Sequence, residues 1–114
     1  RRATRVRIDV PVLYYCEDRS CTGRSFDVSS GGMFLACDEL FPVGSEVRVF
    51  FVVPPCQDVH AAAVVRWIRD KLDSWIDERR PKQGMGLSFT ALTGPATQAL
   101  LTLAADAPRA LPRR

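Results

Sequence analysis

The sequence predicts an all-β-dominated domain, an antiparallel barrel of five or six short strands with one α-helix at the C-terminal end. Three observations carry that reading: runs in which apolar and polar residues alternate, Gly- and Pro-rich stretches that interrupt them, and one late segment with helical spacing. The 114 residues fit one domain, and 46% hydrophobic with 25% charged residues is the balance of an ordinary globular chain. No apolar run approaches the roughly 20 residues that a membrane-crossing helix needs.

The first strand is expected from Val6 to about Cys16, with Val6, Ile8, Val10 and Val12 on one face and Arg5, Arg7 and Asp9 on the other. Glu17 to Ser20 reads as a turn. A second strand runs from about Cys21 to Val28 and stops at Ser29-Ser30-Gly31-Gly32, where glycine admits unusual backbone angles. Met33 to Cys37 is a short strand, Pro42-Val43-Gly44 a turn, and Glu46 to Val53 a strand with Val47, Val49, Phe51 and Val53 on one face. Pro54-Pro55 ends it. His60 to Arg69 places Ala61, Ala63, Val65 and Trp67 on one face, which assigns Trp67 to the core. Asp70 to Gln83 is polar and reads as a long hairpin loop, a partner surface or merely a connection. Gly84 to Phe89 is the last strand. Gly94-Pro95 opens a helix in which Ala96, Ala99, Leu100, Leu103 and Ala107 recur at helical spacing. The domain is therefore expected over 1–107, with an arginine-rich arm at 1–7, a helix at 94–107 and a flexible tail at 108–114.

Sixteen basic residues against 13 acidic ones give a net charge of +3, too mild for a general nucleic-acid binder. Fourteen of the sixteen are arginine, and Arg1, Arg2, Arg5 and Arg7 crowd the N-terminal end. Arginine offers a planar fork suited to phosphate and to the guanine edge. Cys16, Cys21, Cys37 and Cys56 lack the paired spacing of structural zinc, and His60 is the only histidine, so no metal site is expected. Reduced cysteines in core positions are the simplest reading, and no signal peptide marks the chain as secreted. The chain begins without an initiator methionine, which reads as a piece of something longer.

Enzyme readings find little support. Ser29 and Ser30 lack the G-x-S-x-G setting, His60 lies in an Ala-Val run, and no Lys-Ser/Thr follows the glycines as a triphosphate loop requires. Asp70, Asp73 and Asp77 fall in the polar loop. Two features remain: the arginine arm and Asp27-Val28-Ser29-Ser30-Gly31-Gly32 at a strand end. Together they hold the parts for a guanine nucleotide. A carboxylate accepts from guanine N1–H and N2–H₂, arginine pairs with phosphate or stacks on a base, and glycine allows close approach. The competing reading is a local side-chain-to-backbone turn at Asp27 and Ser29 beside a solvated tail.

On these residues the sequence resembles the PilZ family, bacterial receptor domains for the second messenger cyclic di-GMP. Arg1 and Arg5 match R-x-x-x-R, and Asp27, Ser29 and Gly32 match D/N-x-S-x-x-G. Gly84-Met85-Gly86-Leu87-Ser88-Phe89 is similar to the family's late G-x-G-hydrophobic-x-F strand, and the likeness runs from Arg1 to about Ala105. The resemblance implies a six-stranded antiparallel barrel whose arm wraps a ligand against the outer surface. Arg1 and Arg5 would grip phosphates and guanine, Asp27 and Ser29 would read a guanine edge, and Gly32 would shape the turn. Arg2 is adjacent, and Arg66 and Trp67 lie on a strand that passes near such a site. The expected function is thus a cytoplasmic, non-catalytic cyclic di-GMP receptor without cofactor or metal, signalling to a protein partner or neighbouring domain. The rival is a PilZ-like adaptor, of the type IV pilus kind, that does not bind the nucleotide; a nucleic-acid-binding barrel is a more distant third.

Overall fold

The computed structural model describes residues 5–54, 56–70 and 83–105. Its elements in chain order are β1 (Val6–Arg7), β2 (Pro11–Cys16), β3 (Arg19–Val28), β4 (Gly32–Ala36), β5 (Glu46–Val53), β6 (Gln57–Arg69), β7 (Gly84–Leu92) and α1 (Gly94–Ala105). All strand pairings are antiparallel. The order β3-β2-β5-β6-β7-β4 returns to β3 through the β3–β4 pairing, so six strands close into a barrel. β1 adds two residues to the edge of β3 that β2 also occupies.

Strict alternation fills the interior. Val12 and Tyr14 on β2, Val47, Val49, Phe51 and Val53 on β5, and Val59, Ala61, Ala63 and Val65 on β6 are all buried, and the residues that alternate with them turn outward. Met33, Leu35, Met85 and Leu87 complete the lining. Tyr14 brings its polar end with it: the hydroxyl donates to the Glu39 carbonyl at 2.8 Å, which satisfies the phenol inside the core. Burial pushes its pKa up, so it stays neutral. α1 packs on β6 and β5 and sends Ala96 and Leu100 into the core, with Ala99 half-buried at its edge. Its first turn is capped by Thr93, whose Oγ1 accepts from the Ala96 N–H at 3.2 Å.

Several sequence expectations change in detail. The single strand from Val6 to Cys16 is two strands, interrupted at Ile8 to Val10, because the chain there carries one residue more than the stretch of β3 it follows. The turn at its far end is only Glu17-Asp18, and Glu17 takes a φ of 56°, the left-handed geometry that two-residue hairpins require. β3 therefore begins at Arg19, β6 at Gln57, and β7 continues to Leu92. Of the cysteines, which are free thiols, only Cys37 is fully buried; Cys56 is exposed on the β5–β6 turn. Residues 71–82, most of the expected hairpin loop, lie outside the described residues, as do Arg1, Arg2, the helix end at 106–107 and the tail.

Leu100 is 2% exposed and ties the helix to the barrel. Leu100→Ala should lower stability by about 2–4 kcal/mol, read as an earlier urea midpoint with an unchanged slope.

Candidate functional site

The site is built by two irregularities, one in β3 and one in β6; a further register shift, opposite Ala62 and Ala63, leaves Thr90 as an extra residue of β7. In β3 the register against β4 shifts between Ser25 and Asp27, so Phe26 is the extra residue. Ser25 points inward, Phe26 and Asp27 both lie on the outer side, and Val28 returns to the core. In β6 the register against β7 shifts between Val65 and Trp67, with Arg66 as the extra residue. Val65 is buried, whereas Arg66 and Trp67 are successive exposed positions. Trp67 is 46% exposed, which corrects its expected place in the core: the bulge reverses the alternation that would have carried it inward with Ala63 and Val65.

These two offsets cancel across the sheet. Arg7 pairs with Asp27, Asp27 with Phe34, Phe34 with Gly86, and Gly86 with Trp67, one cross-strand row over β1, β3, β4, β7 and β6. The neighbouring row, Val28, Met33, Leu87 and Val65, is entirely core. An outer row of functional types thus rests on an inner row of packed apolar ones.

Along that outer row, Phe34 and Trp67 stack with ring centroids 5.1 Å apart and an interplanar angle of 26°. The stack exists because position 86 is glycine: a Cβ there would lie 2.2 Å from the indole. Phe26 meets Phe34 edge-on at 6.3 Å, and the Arg7 guanidinium sits 4.3 Å above the Phe26 ring. At the other end of the row, Arg5 Nη1 donates to Asp27 Oδ1 at 2.7 Å. The Phe34 backbone N–H donates to the same oxygen at 3.2 Å. Asp27 is thereby held in place by a strand amide and a charge, and Oδ2 makes neither of these bonds.

Arg5, Asp27, Phe34, Trp67, Arg69 and Gly86 are among the residues around a cavity of about 270 Å³ on this face. Of the sequence-derived candidates, Arg5, Asp27 and Trp67 meet there. Arg66 is exposed but does not line the cavity; Arg69, three residues on, takes that place. Ser29 is buried in its own turn: its N–H donates to the Gly32 carbonyl at 2.8 Å and its Oγ accepts from the Gly31 N–H at 3.1 Å. That is the local-turn arrangement. Gly32 is required by β7, since a Cβ would sit 2.1 Å from the Leu87 carbonyl oxygen. Arg1 and Arg2 lie outside the described residues.

Phe34, Arg69 and the spacing role of Gly86 escaped the sequence reading. A signal for Arg69 exists: strict alternation from Val65 would bury both Trp67 and Arg69, and a buried unpaired arginine is costly enough to announce a break in the alternation. A larger groove of about 700 Å³, whose lining includes Tyr15, Glu17, Glu46, Arg48 and Thr90, lies elsewhere and receives none of the candidate residues. Its charges are mixed and do not converge on one chemistry. Among the described residues no cluster of histidine, cysteine or carboxylate side chains could hold a metal ion.

Comparison with known proteins follows the same line. A family model described as PilZ domain matches residues 1–106. The structure of the Bacillus subtilis inhibitor of motility MotI/DgrA superposes with a TM-score of 0.78 at 24% identity, over 100% of this chain and 53% of that one. This chain thus spans about half the length of MotI/DgrA. The PilZ domain of YcgR from Escherichia coli, solved with c-di-GMP, gives a TM-score of 0.70 at 16% identity, covering 96% of this chain and 92% of that one. No curated protein matches the sequence significantly. With the family model spanning nearly the whole chain and the six-stranded barrel shared with both structures, the chain belongs to the PilZ domain family.

Proposed function

We propose that the chain is a cyclic di-GMP receptor domain that binds the nucleotide on the outer row of β3, β4, β7 and β6 beneath the N-terminal arm. One observation carries the reading. Arg5 and Asp27, which belong to two separate motifs and stand 22 positions apart, meet at 2.7 Å beside the exposed indole of Trp67. A guanine needs an acceptor for N1–H and N2–H₂, a fork for O6, N7 or phosphate, and a flat apolar surface. Asp27 Oδ2, the guanidinium of Arg5 and the outer face of Trp67 offer these three within one cavity, with Arg69 as a second cation for the diester. Ser29 and Gly32 support the site through the turn that leads from β3 into β4. Arg1 and Arg2 would complete the grip from the arm.

Binding is read as a population shift: the ligand favours the arrangement in which arm and barrel contact it together, and the altered surface is offered to a protein partner or neighbouring domain. A bacterial second messenger places that event in the cytoplasm. The role is that of a receptor and requires no reaction at the site.

Calorimetric titration of cyclic di-GMP at physiological salt tests the reading directly. Micromolar or tighter binding is expected for the parent chain. Arg5→Ala should weaken it by about ten- to hundredfold, the worth of a lost charge-assisted contact. Asp27→Ala should weaken it as well and narrow the preference for cyclic di-GMP over cyclic di-AMP. Absence of binding by the parent, or parent-like affinity in both variants, returns the chain to the adaptor reading. Gly86→Ala should displace the Trp67 indole, shift tryptophan emission, and weaken binding about tenfold while the barrel stays folded.

A further inference from the structure

We infer that Ser25, assisted by Arg24, is a positioning residue for the arm: it clasps the break between β1 and β2 and so delivers Arg5 to Asp27, although it does not line the cavity. The inference rests on the receptor reading for its binding readout, and on geometry alone for the clasp.

The clasp answers a mismatch in chain length. Pro11 pairs with Arg24 and Arg7 with Asp27, so four steps along the arm strand face three along β3. Ile8, Asp9 and Val10 must absorb the extra residue, and a regular ladder cannot serve all their polar groups. Two backbone bonds survive: the Ile8 N–H donates to the Phe26 carbonyl at 3.3 Å, and the Ser25 N–H to the Val10 carbonyl at 2.9 Å. The Val10 N–H and the Ile8 carbonyl are left over. The Ser25 hydroxyl takes both, accepting from the Val10 N–H at 3.0 Å and donating to the Ile8 carbonyl. A hydroxyl is small enough for this interior position, 3% exposed, and it is donor and acceptor at once.

Arg24 holds the residue between. Its Nε donates to Asp9 Oδ1 at 2.5 Å and its Nη2 to the Asp9 carbonyl at 3.2 Å, on the solvent side. Ile8 and Val10 also rest against the core cluster, so each residue of the break is gripped by β3 or by the barrel. Beyond it, only the pairs Val6–Val28 and Arg7–Asp27 keep the arm strand in register before Arg5. Two ladder pairs cannot by themselves set that course. Without the hydroxyl, two half-buried backbone groups lose their partner and the segment gains by lifting toward water, which carries Arg5 off Asp27. Affinity then falls in proportion to the fraction of molecules with a docked arm.

The test compares Ser25→Ala and Ser25→Thr with the parent, by cyclic di-GMP titration well below the melting temperature and by amide hydrogen exchange. Ser25→Ala should bind about tenfold more weakly, and amides from Val6 to Val10 should exchange faster while those of β5 and β6 keep parent rates. Ser25→Thr, which keeps the hydroxyl, should recover most of the affinity and the protection. Parent-like affinity in Ser25→Ala, or parent-like exchange across the break, overturns the clasp. If the parent does not bind the nucleotide, the receptor reading fails and the exchange comparison still decides the clasp. Should Ser25→Ala not fold, Arg24→Ala removes the solvent-side hold: faster exchange at Ile8 to Val10 with affinity lowered about two- to threefold supports the inference, and no change in either overturns it.

Discussion

The whole arrangement depends on alternation along strands, and on two of the places where it is broken. A barrel this small has its interior filled by every second side chain, so any residue that must face solvent has to have the right parity. Asp27 and Trp67 both have the wrong one when counted from their strands' buried residues. One extra residue in β3 and one in β6 reverse each of them, and because both offsets fall at the same height of the barrel, the reversed residues land in one row with Phe34 and Gly86 between them. The core beneath is undisturbed, since Val28, Met33, Leu87 and Val65 resume their places immediately. Bulges at such positions re-aim side chains without dismantling the sheet.

This explains what was legible in the sequence and what was not. The apolar faces of β5 and of β6 up to Val65 are regular, and their readings hold residue by residue. At Ala96, Ala99 and Leu100 the helix likewise follows its 3.6-residue spacing; Leu103 and Ala107 have no described side chains. Where a bulge intervenes, alternation misleads: it puts Trp67 inside and gives no hint that Phe34, an outward position on a short strand, will be covered. The break at Ile8 to Val10 is equally silent, because those residues alternate correctly and the disruption comes from a length mismatch with a partner strand. The polar members of the site were visible by type, Arg5 and Asp27 among them, but their meeting is a long-range fact about which strands are neighbours. Charges at core parity, Asp27 after Ser25 and Arg69 after Trp67, are the trace that a sequence reading can use.

The motif residues divide by what they do. Asp27 and Arg5 present polar atoms at the cavity. Ser29 and Gly32 are occupied in building the turn, the hydroxyl by satisfying Gly31 and the missing Cβ by letting β4 approach β7. The local-turn and ligand-site readings of this stretch are therefore not exclusive. A short polar turn is what sets the end of β3 beside the start of β4, and with it the amide of Phe34 that holds the Asp27 carboxylate.

The shortness of β1 has a kinetic consequence. Aspartate, aromatic pair and glycine sit on strands hydrogen-bonded on both sides, a surface that persists whether or not anything lies on it. The arm strand is joined to one neighbour by two residue pairs, and its other edge has no partner among the described residues. Opening that strand breaks two ladder pairs, and for a ligand held beneath it as proposed above, the residence time would follow how often the arm peels away from β3. On that proposal, affinity would be tuned through the dissociation rate, by residues that lie along the arm and its attachment, while the barrel face would keep its chemical selectivity unchanged.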